Sequence, residues 1–230
     1  MSFFDKITNN LPEVAGPTQK KLGFNEKLKW TLIILVLFFI LGVIPLYGLG
    51  GNALERFEIL SVILGAKFGS IISLGIGPIV TASIVLQLLN GSGIWKFDLA
   101  SDEGKKRFQG IQKLMALFFI LFEAAIYVFM GGLSPEAGIS PWLLVFQLIV
   151  GGILIMFLDE VVSKWGFGSG ISLFIAAGVS QSILVRALSW LPSPNNPEIS
   201  AGAIPALFQS VSAGDPITAT LMLAGIIATL

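Results

Sequence analysis

The sequence predicts an all-α, polytopic membrane helical bundle of five spans plus a partial sixth, with one span broken at membrane depth. Three observations carry this. The 230 residues are 54% hydrophobic and only 12% charged, against roughly 25% charged in soluble domains, and the mean hydropathy is +0.86. Apolar runs close to the roughly 20 residues of helix needed to cross about 30 Å of hydrocarbon recur along the chain. Finally, Leu74-Gly75-Ile76-Gly77-Pro78-Ile79-Val80 sets two glycines and a proline inside an apolar run. A proline removes a backbone donor and an interior glycine costs about 1 kcal/mol in a helix. Lipid tolerates such a break only where it packs against protein or faces a water-filled cavity.

Composition also narrows the chemistry. The chain has no cysteine and no histidine, which removes disulfides, thiolate nucleophiles, imidazole bases and the usual zinc ligands. Most enzyme readings fall with them, and the expected cofactor and metal sets are both none. The formal net charge is zero, so bulk charge speaks neither for nor against a nucleic-acid or acidic partner.

Residues 1–29 are polar and carry Lys6, Lys20, Lys21, Lys27 and Lys29. They are too charged for a cleaved signal peptide. Phe3, Phe4, Ile7 and Leu11 share one face of a short helix ending at Pro12, which reads as lying on the membrane surface, or else as a partly ordered tail. The first span opens at Trp30 and runs to about Tyr47, with aromatics near both ends. Next, Asn52 to Leu64 is helical in pattern, charged at Glu55, Arg56 and Glu58, and bounded by glycines. It is too short to cross. Two readings remain open, a helix on the outer surface or a half-helix dipping into a cavity on glycine hinges.

The second span runs from about Ile71 to Leu89 and contains the broken stretch. A polar loop from Asn90 follows, with Lys96, Lys105, Lys106, Arg107 and Lys113, then a third span from Leu114 to about Gly131. The fourth, Trp142 to Leu158, ends at Asp159-Glu160. A glycine-rich turn from Gly166 to Gly170 opens the fifth, Ile171 to about Trp190. Residues 191–216 are proline-rich and read as an exposed external loop. The run 217–230 makes only about 21 Å of helix, so a truncated sixth span is expected.

The positive-inside rule orients the chain. With the N-terminus in the cytoplasm, the inner segments hold Lys6, Lys20, Lys21, Lys27, Lys29, Lys96, Lys105, Lys106, Arg107, Lys113 and Lys164, leaving Arg56, Lys67 and Arg186 outside.

Ile76 and Val80 are four apart, as are Ile171 and Ile175, so each pair shares a helix face beside a glycine-rich break. Such pairs occur on every membrane helix, so spacing alone assigns them no role. The residues around them, however, carry a resemblance. Leu74 through Ala82 with Leu86 through Leu89, and Leu158 through Gly178, resemble the signatures of the SecY family in its archaeal form, supported by Leu11 to Val14 and Phe108 to Lys113. The likeness runs in order from Leu11 to about Gln181.

That resemblance implies ten spans in two pseudo-symmetric halves, of which this chain is the first half plus the start of a sixth span. It implies a passive protein-conducting channel in the cell membrane, admitting secretory polypeptides across and membrane proteins into the bilayer. An apolar ring narrows its pore, and Ile76, Val80, Ile171 and Ile175 match four members. The segment Glu55, Arg56, Phe57, Glu58, Ile59, Leu60, Ser61, Val62, Ile63, Leu64, Gly65 and Ala66 matches the re-entrant plug. The second and third spans match one wall of the lateral gate. Implied partners are SecE-type and Sec-beta-type membrane subunits, the ribosome, signal sequences and nascent chains, the lipid bilayer, and the C-terminal half of the same protein. Apolar constrictions suit such a pore because they stop ions by dewetting and can close around any sequence without binding it.

Three polar residues inside spans need a reading of their own. Thr81 and Gln87 are either hydrogen-bonding glue between helices or, for Thr81, part of the gate. Glu123 lies near the middle of the third span, where an acid costs about 2.5 to 3.5 kcal/mol on insertion scales. It is either a gate residue with a polar partner in the other half or a structural carboxylate. Lys105, Lys106 and Arg107 could meet RNA phosphates, but topology alone explains them. Two further function classes compete with the channel: a secondary transporter of a small solute, since broken helices also mark carrier sites, and a purely structural membrane subunit. A carrier needs ionisable or coordinating groups at its breaks, whereas those near Ile76 and Ile171 are expected to be aliphatic or glycine.

Overall fold

The structure, a computed structural model, describes residues 11–18, 22–52, 67–190, 192–193, 196–200, 202–214, 220 and 223. It divides into two compact units, Met1–Ile175 and Ala176–Leu230, with the boundary inside one helix. The expected surface helix at Phe3, Phe4 and Ile7, the plug segment 55–66 and nearly all of the run 217–230 lie outside the described residues.

The elements are α1 (Phe24–Val43), β1 (Leu49–Asn52), α2 (Gly77–Gly91), α3 (Asp102–Phe129), β2 (Leu133–Pro135), α4 (Pro141–Trp165), α5 (Gly170–Leu188), β3 (Pro192–Ser193), β4 (Asn196–Ser200) and α6 (Ala203–Ser212). Among the described residues three helices, Glu103–Phe129, Pro141–Trp165 and Gly170–Leu188, are long and apolar enough to cross a membrane.

Local chemistry moves several boundaries from the expected ones. The first helix stops at Val43, not near Tyr47, because Ile44 precedes Pro45 and is held extended (φ −76°, ψ 111°). Pro45 then bridges to Ser70. The third helix begins twelve residues before Leu114, at Asp102, because the Ser101 hydroxyl caps it by accepting the Gly104 N–H at 3.1 Å. Lys105, Lys106, Arg107 and Lys113 are therefore helical rather than part of a loop. Pro141 opens α4, whose missing donor costs nothing in a first turn, and α4 continues past Asp159-Glu160 to Trp165.

The described residues are mostly helical, as the all-α expectation has it, and two short antiparallel pairs join the connections. In the first unit β1 pairs with β2, Asn52 opposite Leu133. Gly50 allows this, because a Cβ there would stand 2.8 Å from Glu136 Cα. The Tyr47 N–H donates to Gln147 Oε1 at 2.9 Å and Gln147 Nε2 returns a bond to the Tyr47 carbonyl at 3.0 Å. Within the same unit α4 packs against α1 and α3, and α2 packs on α3. The α4 contact stripe, Leu144, Leu148, Gly151, Gly152 and Ile155, is buried. A Cβ on Gly152 would reach 2.8 Å from Ile120 Cγ2, the close approach that small residues permit between membrane helices.

In the second unit, the stretch expected as an exposed loop holds β3, β4 and α6. The β3 and β4 strands pair, the Ser200 N–H donates to Gln209 Oε1 at 2.8 Å, and Pro205, Ala206 and Ser210 of α6 are buried.

Candidate functional site

Ile76 and Val80 sit at the start of α2. Only Gly77–Gly91 of the expected second span is helical; residues 71–76 form turns. Successive short bonds close them: the Ser73 N–H to the Ser70 carbonyl (3.0 Å), Gly75 to Ile72 (2.9 Å) and Gly77 to Leu74 (3.3 Å). Gly75 has φ +55°, a left-handed conformation that a side chain disfavours. Pro78 then fits the first turn of α2. The break expected from the two glycines and the proline is thus the N-terminus of a helix.

Hydroxyls fasten the segment to itself. Ser73 Oγ, fully buried, accepts the Gly69 N–H at 2.9 Å and lies 2.5 Å from the Ser70 carbonyl. Main-chain bonds tie it to the end of α1, the Leu46 N–H to the Gly69 carbonyl (2.9 Å) and the Ile71 N–H to the Ile44 carbonyl (3.0 Å). On α4, a Cβ added to Gly151 would collide with the Ile71 carbonyl oxygen. Beside this segment the Lys67 stem lies along Gly42, and burial pushes its ammonium below the ordinary value. Ile76 caps α2 and is 1% exposed; the Val80 N–H donates to its carbonyl at 3.0 Å, and Val80 is half-buried.

Ile171 and Ile175 occupy the first turns of α5 and are both half-buried. The turn before them is made by Gly166, Gly168 at φ +75° and Gly170. Asp159 of α4 caps this helix from outside: the Ile171 N–H donates to Asp159 Oδ1 at 2.9 Å. A Cβ on Gly170 would stand 2.6 Å from Asp159 Cα, so only glycine lets the carboxylate approach. Thr31 of α1 accepts the Phe167 N–H at 3.2 Å and donates to the Lys27 carbonyl at 2.8 Å. One turn into α5, buried Phe174 stacks on Phe38 of α1 with ring centroids 4.8 Å apart. The expectation that the surroundings of Ile171 are only aliphatic or glycine is therefore corrected. Asp159 is twelve residues away in sequence, and only the sharp reversal between α4 and α5 brings it there. In the sequence Asp159 stands at the end of a span and inside a family signature with no role of its own, and Gly151 carries no signal.

Of the three polar span residues, Thr81 on α2 lies within hydrogen-bonding reach of Glu123 on α3, and its hydroxyl also reaches the Gly77 carbonyl at 2.9 Å. Glu123 thus has a polar neighbour inside this chain, where one reading sought it in the other half. Gln87 is exposed and donates to Ser83 of its own helix at 3.0 Å.

At the end of α4 away from Gln147, Glu160 accepts from Lys113 of α3 (2.7 Å), Lys164 (2.9 Å) and the Val14 N–H (3.1 Å). Trp165 Nε1 donates to the Ala15 carbonyl at 2.8 Å. The extended segment Leu11 to Pro17 is strapped there across α3 and α4. Among the described residues no group of three or more acidic side chains is placed to hold a metal ion.

The family model for SecY matches residues 70–230. The SecY protein translocase subunit of Methanothermobacter thermautotrophicus is 56% identical over 201 residues, which are 87% of this chain and 44% of that protein. Sec61 in the canine ribosome–channel complex from the endoplasmic reticulum superposes with a TM-score of 0.81 at 42% identity, over 97% of this chain and 49% of its own. A SecY structure, described in terms of a plug domain that stabilises the closed translocation channel and maintains a membrane seal, gives 0.74 at 42% identity, over 91% and 45%. The chain spans about half the length of the relatives it matches. Two helices that begin at glycine-bearing breaks, and a family match over most of the sequence, lead to one conclusion: this chain belongs to the SecY family.

Proposed function

We propose that this chain forms the N-terminal half of a passive protein-conducting channel, joined in function to the second half that its relatives carry, and that it performs no catalysis. One observation carries the reading. Two helices, α2 and α5, each start at a glycine-bearing break and carry an aliphatic pair, four residues apart, at that start. Ile76, Val80, Ile171 and Ile175 are four members of the pore ring, a seal that stops ions by dewetting.

The segment 55–66 is the plug, a reading supported by its length, too short to span, and by the role named for the plug of the related SecY structure. The lateral gate includes α2 and α3 with Thr81, Gln87 and Glu123, and the reach between Thr81 and Glu123 supports their common role. Five spans cross the cell membrane with the N-terminus in the cytoplasm. The basic-residue distribution supports this, as does the meeting of the strap with Lys113 and Lys164 at one end of the bundle and of β1 with β2 at the other. The ribosome is a partner, as the Sec61 ribosome–channel complex suggests, together with SecE-type and Sec-beta-type subunits, signal sequences and nascent chains, and bilayer lipid.

Besides the breaks themselves, the Asp159 carboxylate beside the start of α5 is a feature that a solute carrier would share. Asp159, however, spends an oxygen on the Ile171 main-chain N–H, which favours a seal over an ion-coupling site.

The test is the resting leak. Replacing Ile76 and Ile171 together by glycine in the full-length channel should raise ion conductance in planar bilayers in the absence of substrate. Unchanged conductance would overturn the ring assignment.

A further inference from the structure

We infer that α4, which contributes no ring residue, sets the separation of the two ring pairs through two seats, Gly151 and Asp159. The inference rests on the ring reading above.

The first seat is the bare Cα of Gly151, covered by the Ile71 carbonyl so closely that any Cβ would collide with it. Ile71 is also bonded to the end of α1 through its N–H, so it cannot move away without breaking that bond. From Ile71, the short bonds from Gly75 to Ile72 and from Gly77 to Leu74 lead to Ile76. A shift of the Ile71 backbone is thereby passed on to the first pair.

The second seat is the Asp159 carboxylate, bonded at 2.9 Å to the main-chain N–H of Ile171 itself. Gly170 brings the two backbones together, since a side chain there would strike Asp159. Here the ring residue is held directly.

Both seats lie within one unbroken helix, Pro141–Trp165. They are eight residues apart, about 12 Å at 1.5 Å per residue. A helix stretch of that length is stiff, so the two pairs are spaced from one rod. The seats also differ from ordinary helix packing. Gly152, the next residue, faces the Ile120 side chain, whereas Gly151 faces the Ile71 main chain. That contrast supplies the control.

The experiment measures resting ion conductance of the full-length channel in planar bilayers, with the unfolding midpoint in parallel. Gly151→Ala and Asp159→Ala should each raise resting conductance several-fold. Gly152→Ala should lower the midpoint without a leak, and Asp159→Asn, which keeps an acceptor oxygen, should restore most of the seal lost in Asp159→Ala. If Gly151→Ala fails to fold, the Asp159 pair carries the test alone. Wild-type conductance in Gly151→Ala and Asp159→Ala, alongside a leaking Ile76→Gly/Ile171→Gly channel, would overturn the role of α4 and leave the ring standing. A tight Ile76→Gly/Ile171→Gly channel would instead remove the ring and this inference with it.

Discussion

The starts of α2 and α5 each carry an aliphatic pair four residues apart, yet they are supported in opposite ways. Ahead of α2, residues 67–76 are largely self-fastened: the Ser70 and Ser73 hydroxyls and a series of short main-chain bonds close the segment on itself. From outside, the α1 end, Gly151 and the Tyr127 ring of α3, which meets Phe68 edge-on, touch it. Ahead of α5, the connection is four residues long and borrows its support from neighbours, a carboxylate on α4, a hydroxyl on α1 and the Phe38 ring. The difference teaches that a break in a membrane helix needs its polar backbone satisfied, and that a long turn can do this internally where a short one cannot. Mutational sensitivity should follow. The α2 start fails through bonds within its own segment, and the α5 start fails through its contacts with other helices.

The largest effect expected from this contrast is at Phe174. Phe174→Ala removes a fully buried ring stacked on Phe38 and should cost about 3 to 5 kcal/mol, seen as a lower unfolding midpoint in detergent. A negligible change would mean that α5 does not lean on α1. Next is Ser73→Ala, which leaves the Gly69 N–H without its acceptor in a buried setting. A loss of about 1 to 2 kcal/mol is expected, with amide exchange at Gly69 quickened while exchange at Ile171 is not. Coupled acceleration at both sites would erase the distinction between the two breaks.

Thr31→Val keeps the shape and deletes the acceptor of the Phe167 N–H. Its cost should be about 1 kcal/mol, and faster exchange should appear at Phe167 and spare residues 69–77. The smallest effect belongs to Thr81→Val. Hydrogen bonds between membrane helices average about 0.6 kcal/mol, so losing the reach to Glu123 should change stability by less than about 1 kcal/mol. A larger loss would make that pair a structural fastening rather than a gate contact.

Much of the fold was legible. The four runs that became α1, α3, α4 and α5 stand out by length and hydropathy, and Gly75, Gly77 and Pro78 marked the break within a residue or two of the first residue of α2. The charged turns of α3 were read as loop because their apolar periodicity is weak, although Ser101, three residues before Gly104, was a visible capping signal. Helix α6 was hidden by the prolines around it. Of the candidate site, the four aliphatic residues were named, while the two α4 residues that seat them were not. Gly151 looked like one of many small residues in an apolar run, and Asp159 looked like the end of a span.

By itself the sequence determined the class of molecule and the places where its helices break. These follow from local chemistry: hydropathy over about 20 residues, the left-handed conformation open to glycine and the donor missing from proline. Tertiary structure alone decided what each break rests on. The Ile71 carbonyl meets Gly151 eighty residues away, and the Ile171 N–H meets a carboxylate across a reversal of the chain. Hydrogen bonds and close contacts of that kind depend on the distance between backbones after packing, which no local pattern encodes.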